Sequence, residues 1–140
     1  MGVELLVVDA PGADGAMHLL GIYCEKPADY AKCAASGERQ LAASRYDALV
    51  IDPFPLHGEG FDEEEMRQRR ALIEHANAAK IMVVLATDFH TSAIMDHFDR
   101  PGFTFQEHYA RVPRRYDAGD IMRSLDLLSR KQAEAACPKS

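Results

Sequence analysis

Three apolar runs of this sequence each end in side chains that could do chemistry. Asp9 closes the first run, Asp52 the second, and Thr87 with Asp88 the third. Carboxylates gathered at one site can bind Mg²⁺ through their oxygens, and a carboxylate can attack a phosphoryl group as a nucleophile. A plain structural explanation also exists, because Asp is a common first residue of a loop. The elements that carry these residues decide whether they meet.

The runs VELLVVDA (3–10), ALVID (48–52) and KIMVVLATD (80–88) have the composition of strands buried on both faces of a parallel sheet. Weaker strands are predicted over 29–35 and 105–112. In an open parallel sheet, residues just past the carboxyl ends of neighbouring strands converge in one crevice. We therefore expect the polar groups at the ends of the three strong strands to lie close together.

Segments with helical spacing lie between these strands. Helices are predicted over 14–24, 37–45, 61–79, 91–98 and 118–136, the last beginning at Asp120 as its cap. Five strands alternating with five helices specify a doubly wound α/β sandwich, because parallel strands need right-handed crossovers. Residues 1–134 are expected to form one domain and 135–140 a frayed tail.

The helix over 61–79 has the clearest signals. Asp62 and Glu65 are spaced as a capping pair, and Arg67 and Arg69 follow Glu63 and Glu65 by four residues. We interpret the basic run 67–70 as a solvated face. The expected inward face consists of Met66, Leu72, Ile73 and Ala76.

Charge and composition exclude several classes of function. The 140 residues carry a formal net charge of −6, which argues against nucleic-acid binding, since that needs clustered Lys and Arg. No apolar run approaches the roughly 20 residues of a membrane span, and no signal peptide is evident. We expect a cytoplasmic protein.

The arrangement resembles the receiver domain of bacterial two-component response regulators over about residues 3–131. LLVVDA looks like that family's first strand and acidic turn, RYDALVID like its third strand, VVLATD like its fourth and YARVP like its fifth. The resemblance implies a flavodoxin-like (βα)5 fold. It also implies phosphoryl transfer from a histidine kinase to an aspartate, balanced by Mg²⁺ and a lysine.

The same resemblance assigns roles to individual residues. Asp52 falls on the phosphoacceptor position, and Thr87 and Tyr109 fall on the switch positions that reorient after phosphorylation. Asp9 and Asp52 are the implied metal ligands, and Asp88 is a further candidate. The implied interaction face includes Tyr109, Arg111, Arg114, Arg115 and Arg123.

The sequence departs from the family's pattern at three of these positions. Ala10 stands where a second acid usually binds Mg²⁺, and Val112 stands where the lysine is expected. Asp88 replaces a small residue, and a like charge 4 Å from a phosphoryl group costs about 4 kcal/mol at an effective dielectric of 20. Mg²⁺ binding is therefore expected to be weak.

The leading hypothesis is a stand-alone atypical receiver that is not an enzyme. It would act by binding a signalling partner, such as a histidine kinase or downstream effector, with phosphorylation at Asp52 weakened or lost. The alternative is a competent receiver in which Arg111 or Arg114 replaces the lysine. A third hypothesis is a flavodoxin-like ligand-binding module or enzyme. A homodimer through the interaction face remains open.

Overall fold

Five short strands form a parallel sheet at the centre of the computed structural model, which describes residues 3–10, 28–57 and 60–136. The strands are β1 (Leu5–Val8), β2 (Asp29–Ala31), β3 (Ala48–Ile51), β6 (Met82–Ala86) and β7 (Tyr109–Val112). Their order in the sheet is β2-β1-β3-β6-β7, with every neighbouring pair parallel. The predicted five-stranded parallel sheet is confirmed.

The loop after Asp52 contains an element that the sequence analysis did not predict. Two short strands, β4 (Leu56–His57) and β5 (Gly60–Phe61), pair antiparallel as a separate hairpin. This hairpin lengthens the connection that follows Asp52. It lies between the end of β3 and the helix that begins at Glu63.

Five helices are present in the described ranges: α1 (Ala34–Ala43), α2 (Glu63–Ala78), α3 (Thr91–Phe98), α4 (Phe105–His108) and α5 (Ala118–Ala136). The predicted helix over 14–24 lies outside the described residues. The predicted strand over 105–112 is wrong in its first half, which forms α4. The strand predicted over 29–35 is shorter than expected, because α1 already begins at Ala34. A search of these helices finds no candidate membrane span.

The two faces of the sheet bury separate apolar clusters, because successive strand residues point to opposite sides. Leu5 and Val7 of β1 pack in a cluster with Ile121 and Leu125 of α5. On the other face, strand residues pack in a cluster with residues of α1, α2 and α3 that include Ala34, Leu72, Ile73 and Ile94. Helices on both faces of a parallel sheet make this a doubly wound, flavodoxin-like α/β fold.

Side-chain caps fix the beginnings of the two longest helices. The Asp62 carboxylate accepts a hydrogen bond from the Glu65 N–H at 3.0 Å, as the spacing predicted. The prediction for α5 is wrong by three residues: Asp117 is the cap, and its carboxylate accepts from the Asp120 N–H at 2.7 Å. The Asp120 carboxylate returns a bond to the Asp117 N–H at 3.0 Å, which completes a reciprocal capping box.

Candidate functional site

Asp52 lies at the carboxyl end of the central strand β3 and is almost entirely buried, with 2% of its surface exposed. Its Oδ1 accepts a hydrogen bond from the Phe54 N–H at 2.9 Å, and its Oδ2 lies 3.4 Å from Arg114 Nε. Burial raises the pKa of this carboxyl above its ordinary value of 3.8, and the N–H and the arginine only partly offset the effect. The charged form of Asp52 is therefore disfavoured in the folded protein.

A buried arginine from α2 occupies the centre of the site. The side chain of Arg69 is 2% exposed, and its Nη1 donates to the main-chain oxygen of Asp52 at 2.8 Å. Its Nη2 donates to Asp9 Oδ2 at 3.1 Å, and its Nε donates to Glu65 Oε2 at 2.6 Å. Nη2 also donates to the Lys32 oxygen at 3.4 Å, so the guanidinium sits among two carboxylates and two carbonyls. The expectation that residues 67–70 form a solvated face is wrong at Arg69.

Glu65 extends this charged cluster to α1. Its Oε2, which binds Arg69, also accepts from the Ala34 N–H at 2.8 Å. The residue before α1, Cys33, makes no side-chain cap, so a carboxylate from α2 satisfies the amino end of α1. Arg69 and Glu65 therefore join two helices to the carboxyl edge of the sheet.

Asp9 follows β1 and adopts a backbone conformation that non-glycine residues seldom occupy, with φ at 45°. Its carboxylate is partly exposed and pairs with Arg69. The Tyr30 side chain interacts with this carboxylate. Burial and then the charge of Asp9 raise the pKa of the Tyr30 phenol. Asp9 is thus held on one side by a cation and on the other by a phenol.

The two polar residues after β6 are held by local hydrogen bonds. Thr87 is buried, its Oγ1 accepts from the Phe89 N–H at 3.1 Å and its own N–H donates to the Val112 oxygen at 3.0 Å. Asp88 is exposed, and its Oδ1 accepts from the Arg114 N–H at 3.0 Å. Asp88 therefore fixes the backbone of the residue that pairs with Asp52.

Three residues of β7 and the loop after it were considered as the source of a cation for Asp52. Val112, at the position where a lysine was sought, is 4% exposed and belongs to the apolar core. Arg111 makes no contact with the Asp52 carboxylate, and its Nη2 donates to the Phe89 oxygen at 2.6 Å. Of the two arginines considered as substitutes for the lysine, only Arg114 reaches the Asp52 carboxylate.

Tyr109 is buried rather than on the surface, with 3% exposed. Its ring packs edge-on against Phe98 at 5.7 Å and tilted against Phe103 at 5.7 Å, and burial raises the pKa of its phenol to about 12. In the described part of the chain its hydroxyl finds no hydrogen-bond partner. As a member of an exposed interaction face, Tyr109 was placed wrongly; Arg111, Arg114, Arg115 and Arg123 are exposed.

The residues proposed as metal ligands are engaged by other groups. Asp9 binds Arg69, Asp52 binds the Phe54 N–H and Arg114, and Asp88 binds the Arg114 N–H. Residues 3–10, 28–57 and 60–136 contain no cluster of three or more ligating side chains placed to hold an ion. A Mg²⁺ ion at Asp9 would have to displace the guanidinium of Arg69, so the arrangement does not fit the ion.

Sequence reasoning brought Asp9, Asp52 and Thr87 to the same edge of the sheet but overlooked Arg69 and Tyr30. A signal for Arg69 existed, because it lies three residues after Met66 and four before Ile73, on the expected inward face of α2. A charged residue on an apolar stripe has to find buried partners. Nothing comparable marked Tyr30.

Comparison of the chain with protein-family models, with curated proteins and with solved structures gives no match.

Proposed function

We propose that this chain is a receiver-like signalling domain that binds a partner protein rather than catalysing a reaction, with phosphorylation of Asp52 weakened or lost. The observation that carries the proposal is the buried guanidinium of Arg69 between Asp9, Glu65 and the Asp52 carbonyl. A receiver needs a removable divalent cation near these oxygens to balance an incoming phosphoryl group. Here a side chain of the protein itself holds them.

The state of Asp52 supports the same conclusion. A nucleophilic carboxylate must be ionised and must reach the phosphoryl donor, whereas Asp52 is buried and its pKa is raised by burial. One of its oxygens is bound to the Phe54 N–H and the other faces Arg114. Burial and the raised pKa both reduce its reactivity toward a phosphodonor.

The two switch positions are also held in place. Thr87 accepts a hydrogen bond within its own turn, and the ring of Tyr109 is enclosed by Phe98 and Phe103. Without a phosphoryl group to bind the Thr87 hydroxyl, nothing favours a second arrangement of these residues. The domain would therefore present one fixed surface to a cytoplasmic signalling partner, either a histidine kinase or a downstream effector.

Covalent labelling tests the proposal directly. The protein is incubated with acetyl phosphate and Mg²⁺, and its intact mass is measured beside Asp52→Asn. We expect no phosphoryl adduct on either protein, and an adduct on the wild type that Asp52→Asn abolishes would overturn the proposal. A known phosphorylatable receiver in the same tube confirms that the donor is active.

Beryllofluoride, a phosphoryl analogue, gives a second readout on the folded protein. With Mg²⁺ present, the amide resonances of Thr87 and Tyr109 should stay within the shifts caused by Mg²⁺ alone. Large shifts at both positions would show that the switch still operates. Because the analogue does not hydrolyse, this measurement also detects a working site whose aspartyl phosphate is too short-lived for mass analysis.

One contact favours the alternative, a phosphorylation-competent receiver. Arg114 Nε lies 3.4 Å from Asp52 Oδ2, where it could neutralise a phosphoryl group in place of the lysine. In that case Arg114→Gln would reduce labelling of Asp52, whereas Arg115→Gln, the exposed neighbour, would leave it unchanged. The labelling experiment separates the two functions without further assumptions.

A further inference from the structure

Aromatic rings at the carboxyl edge of the sheet connect α3 to the hairpin. Phe54, in the loop after β3, packs edge-on against Phe89 at 5.0 Å between ring centroids, and Phe89 packs against Phe61 of the hairpin at 5.2 Å. The imidazole of His97, on α3, packs against Phe54 at 5.2 Å and against Phe98 at 4.7 Å. A titratable ring is thus part of an otherwise apolar cluster.

His97 brings into this aromatic cluster a polar atom that is not satisfied. Its Nε2 is buried and has no hydrogen-bond partner within residues 3–10, 28–57 and 60–136. Both nitrogens of a protonated imidazole are donors, so a proton on Nε2 would need an acceptor that this position does not supply. The cluster therefore accommodates the neutral ring and opposes the charged one.

The charged side chains of α2 that act on His97 do not compensate for a proton. Arg70 is a cation, and Glu74 is already engaged, because its Oε1 accepts from Arg70 Nε and from Arg100 Nη1, each at 3.2 Å. Burial, followed by the charge of Arg70, lowers the pKa of His97 below its ordinary value of 6.5. The neutral imidazole is thus the form that the closed cluster favours.

Titratable groups on the elements around His97 include Asp52, His90, Asp96, Asp99, His108 and Tyr109. Asp52 and Asp99 accept from backbone N–H groups at 2.9 and 3.0 Å, and burial raises the pKa of Tyr109 to about 12. Asp96 is exposed, His90 caps the amino end of α3, and His108 stacks on a neighbouring ring. In the described part of the chain none of them hydrogen-bonds to Nε2 of His97.

The aromatic cluster is joined to the candidate site through backbone hydrogen bonds. Phe54 donates its N–H to Asp52 Oδ1 at 2.9 Å, and Phe89 donates its N–H to Thr87 Oγ1 at 3.1 Å. Loss of the contact between His97 and Phe54 would therefore loosen the turns that follow β3 and β6. Because α3 has only eight residues, few contacts oppose its displacement.

We propose that His97 is the pH sensor of a local opening, in which protonation of its imidazole expels the ring from the aromatic cluster, detaches α3 from the loop after β3 and releases Phe54. The proposal goes beyond partner binding and needs no chemistry at Asp52. Because the pKa of His97 is lowered in the closed form, the open form takes up the proton first. The closed form is thus fully stable above pH 6.5 and loses stability as pH falls through 6.5 toward the lowered value.

An NMR titration of the whole chain from about pH 8 to about pH 5, the range in which histidine changes charge, tests the proposal. The carbon-bound ring protons of His97 report its protonation, and the amide resonances of Phe54, Phe89 and Ile94 report the opening. We expect the amides to change with the same midpoint as the His97 ring, below pH 6.5. Amides that do not follow the ring would overturn the proposal, as would a ring that titrates at or above pH 6.5.

Substitution of His97 tests whether this residue is the sensor. His97→Phe keeps a ring in the aromatic cluster and should abolish the pH-dependent changes at Phe89 and Ile94. His97→Gln should abolish them too, and it serves where the phenyl ring does not pack. His75→Gln removes an exposed histidine of α2 that pairs with Glu38, and should leave them unchanged. Circular dichroism confirms that each variant is folded, and a response that persists in both His97 variants would overturn the proposal.

Asp52→Asn separates this response from titration of the candidate site. The Phe54 N–H bonds to Asp52 directly, so its resonance also reports the protonation of that carboxyl. In Asp52→Asn the changes at Phe89 and Ile94 should persist with an unchanged midpoint, and their disappearance would assign the response to Asp52 and overturn the proposal. Phosphodonor labelling of Asp52 would refute the proposed function and leave the pH response standing, so the two failures are distinguishable.

Discussion

The carboxyl edge of the sheet and the groove between β7 and α5, which is lined in part by Arg111 and Lys131, arrange their charged side chains in opposite ways. At the edge, each principal charge has an internal partner: Arg69 meets Asp9 and Glu65, and Arg114 meets Asp52. In the groove, Arg111 and Lys131 reach only backbone oxygens. In the first region the charged side chains are paired with one another and partly buried. The second region is open and carries an excess of positive charge.

This contrast separates charges that are paired within the fold from charges that are not. A buried ion pair resists exchange, because breaking it leaves an unpaired charge in a poorly solvated place. Exposed cations without partners contribute little to the fold, and a partner's acid can approach them at low cost. Breaking the pairs at the edge should therefore destabilise the fold, whereas removing the cations of the groove should cost little.

Replacing Arg69 should have the largest effect on stability. Arg69→Met keeps the length and apolar part of the side chain but leaves Asp9 and Glu65 without their cation. We expect the free energy of unfolding to fall by about 3 kcal/mol, which urea denaturation followed by circular dichroism measures. Arg67→Met, two residues away on α2, removes an exposed arginine paired with Glu64 and should cost no more than about 0.5 kcal/mol. Equal losses in both variants would erase the distinction between the two regions.

Asp52→Asn should stabilise the protein at neutral pH. The raised pKa means that the folded state disfavours the ionised carboxylate, so the wild type loses stability as pH rises from 3.8 through the folded value. Removing the charge should therefore raise the free energy of unfolding at pH 7. The gain should vanish below pH 3.8. A variant less stable than the wild type at pH 7 would mean that the Arg114 pair outweighs desolvation.

Tyr109→Phe should have a smaller effect in the same direction. The hydroxyl is buried and makes no hydrogen bond within the described residues, so its removal relieves a desolvation cost of up to about 1 kcal/mol. Thermal denaturation should show an unchanged or slightly raised midpoint. Tyr46→Phe is the matched comparison. The Tyr46 hydroxyl donates to Asp29 at 2.6 Å, so its removal should lower the midpoint. A marked loss with Tyr109→Phe would reveal a partner for its hydroxyl.

The smallest effect on stability is expected in the groove itself. Arg111→Gln with Lys131→Gln should change the free energy of unfolding by no more than about 0.5 kcal/mol, since both side chains are solvated. If this double variant instead unfolded at markedly lower urea concentration, these cations would belong to the fold, and the contrast with Arg69 would fail.

The fold followed from the sequence because hydrophobic patterning is strong where strands are buried on both faces. Strands β1, β3 and β6 and helix α3 lie where the apolar runs and helical spacing placed them. The prediction failed over 105–108, where four residues form one helical turn too short to show a periodicity. The hairpin of β4 and β5 was overlooked for the same reason, since two-residue strands carry no pattern.

The candidate site was only half predictable. Topology alone brings Asp9, Asp52 and Thr87 together, so their convergence could be foreseen. Which cation meets them depends on the reach and direction of one long side chain from α2, which local sequence does not encode. The resemblance directed attention to Val112 and the residues around it, which include Arg114 but not the buried Arg69.

The bonds of Arg69 also bear on the order of events in folding. Its partners Asp9 and the Lys32 carbonyl lie 60 and 37 residues away in sequence, so the three segments must be assembled before the guanidinium has anywhere to bind. Such long-range contacts form late, after the loops between them have closed. Loss of Arg69 should therefore speed unfolding and leave the folding rate nearly unchanged, which makes this one side chain a determinant of how long each molecule stays folded.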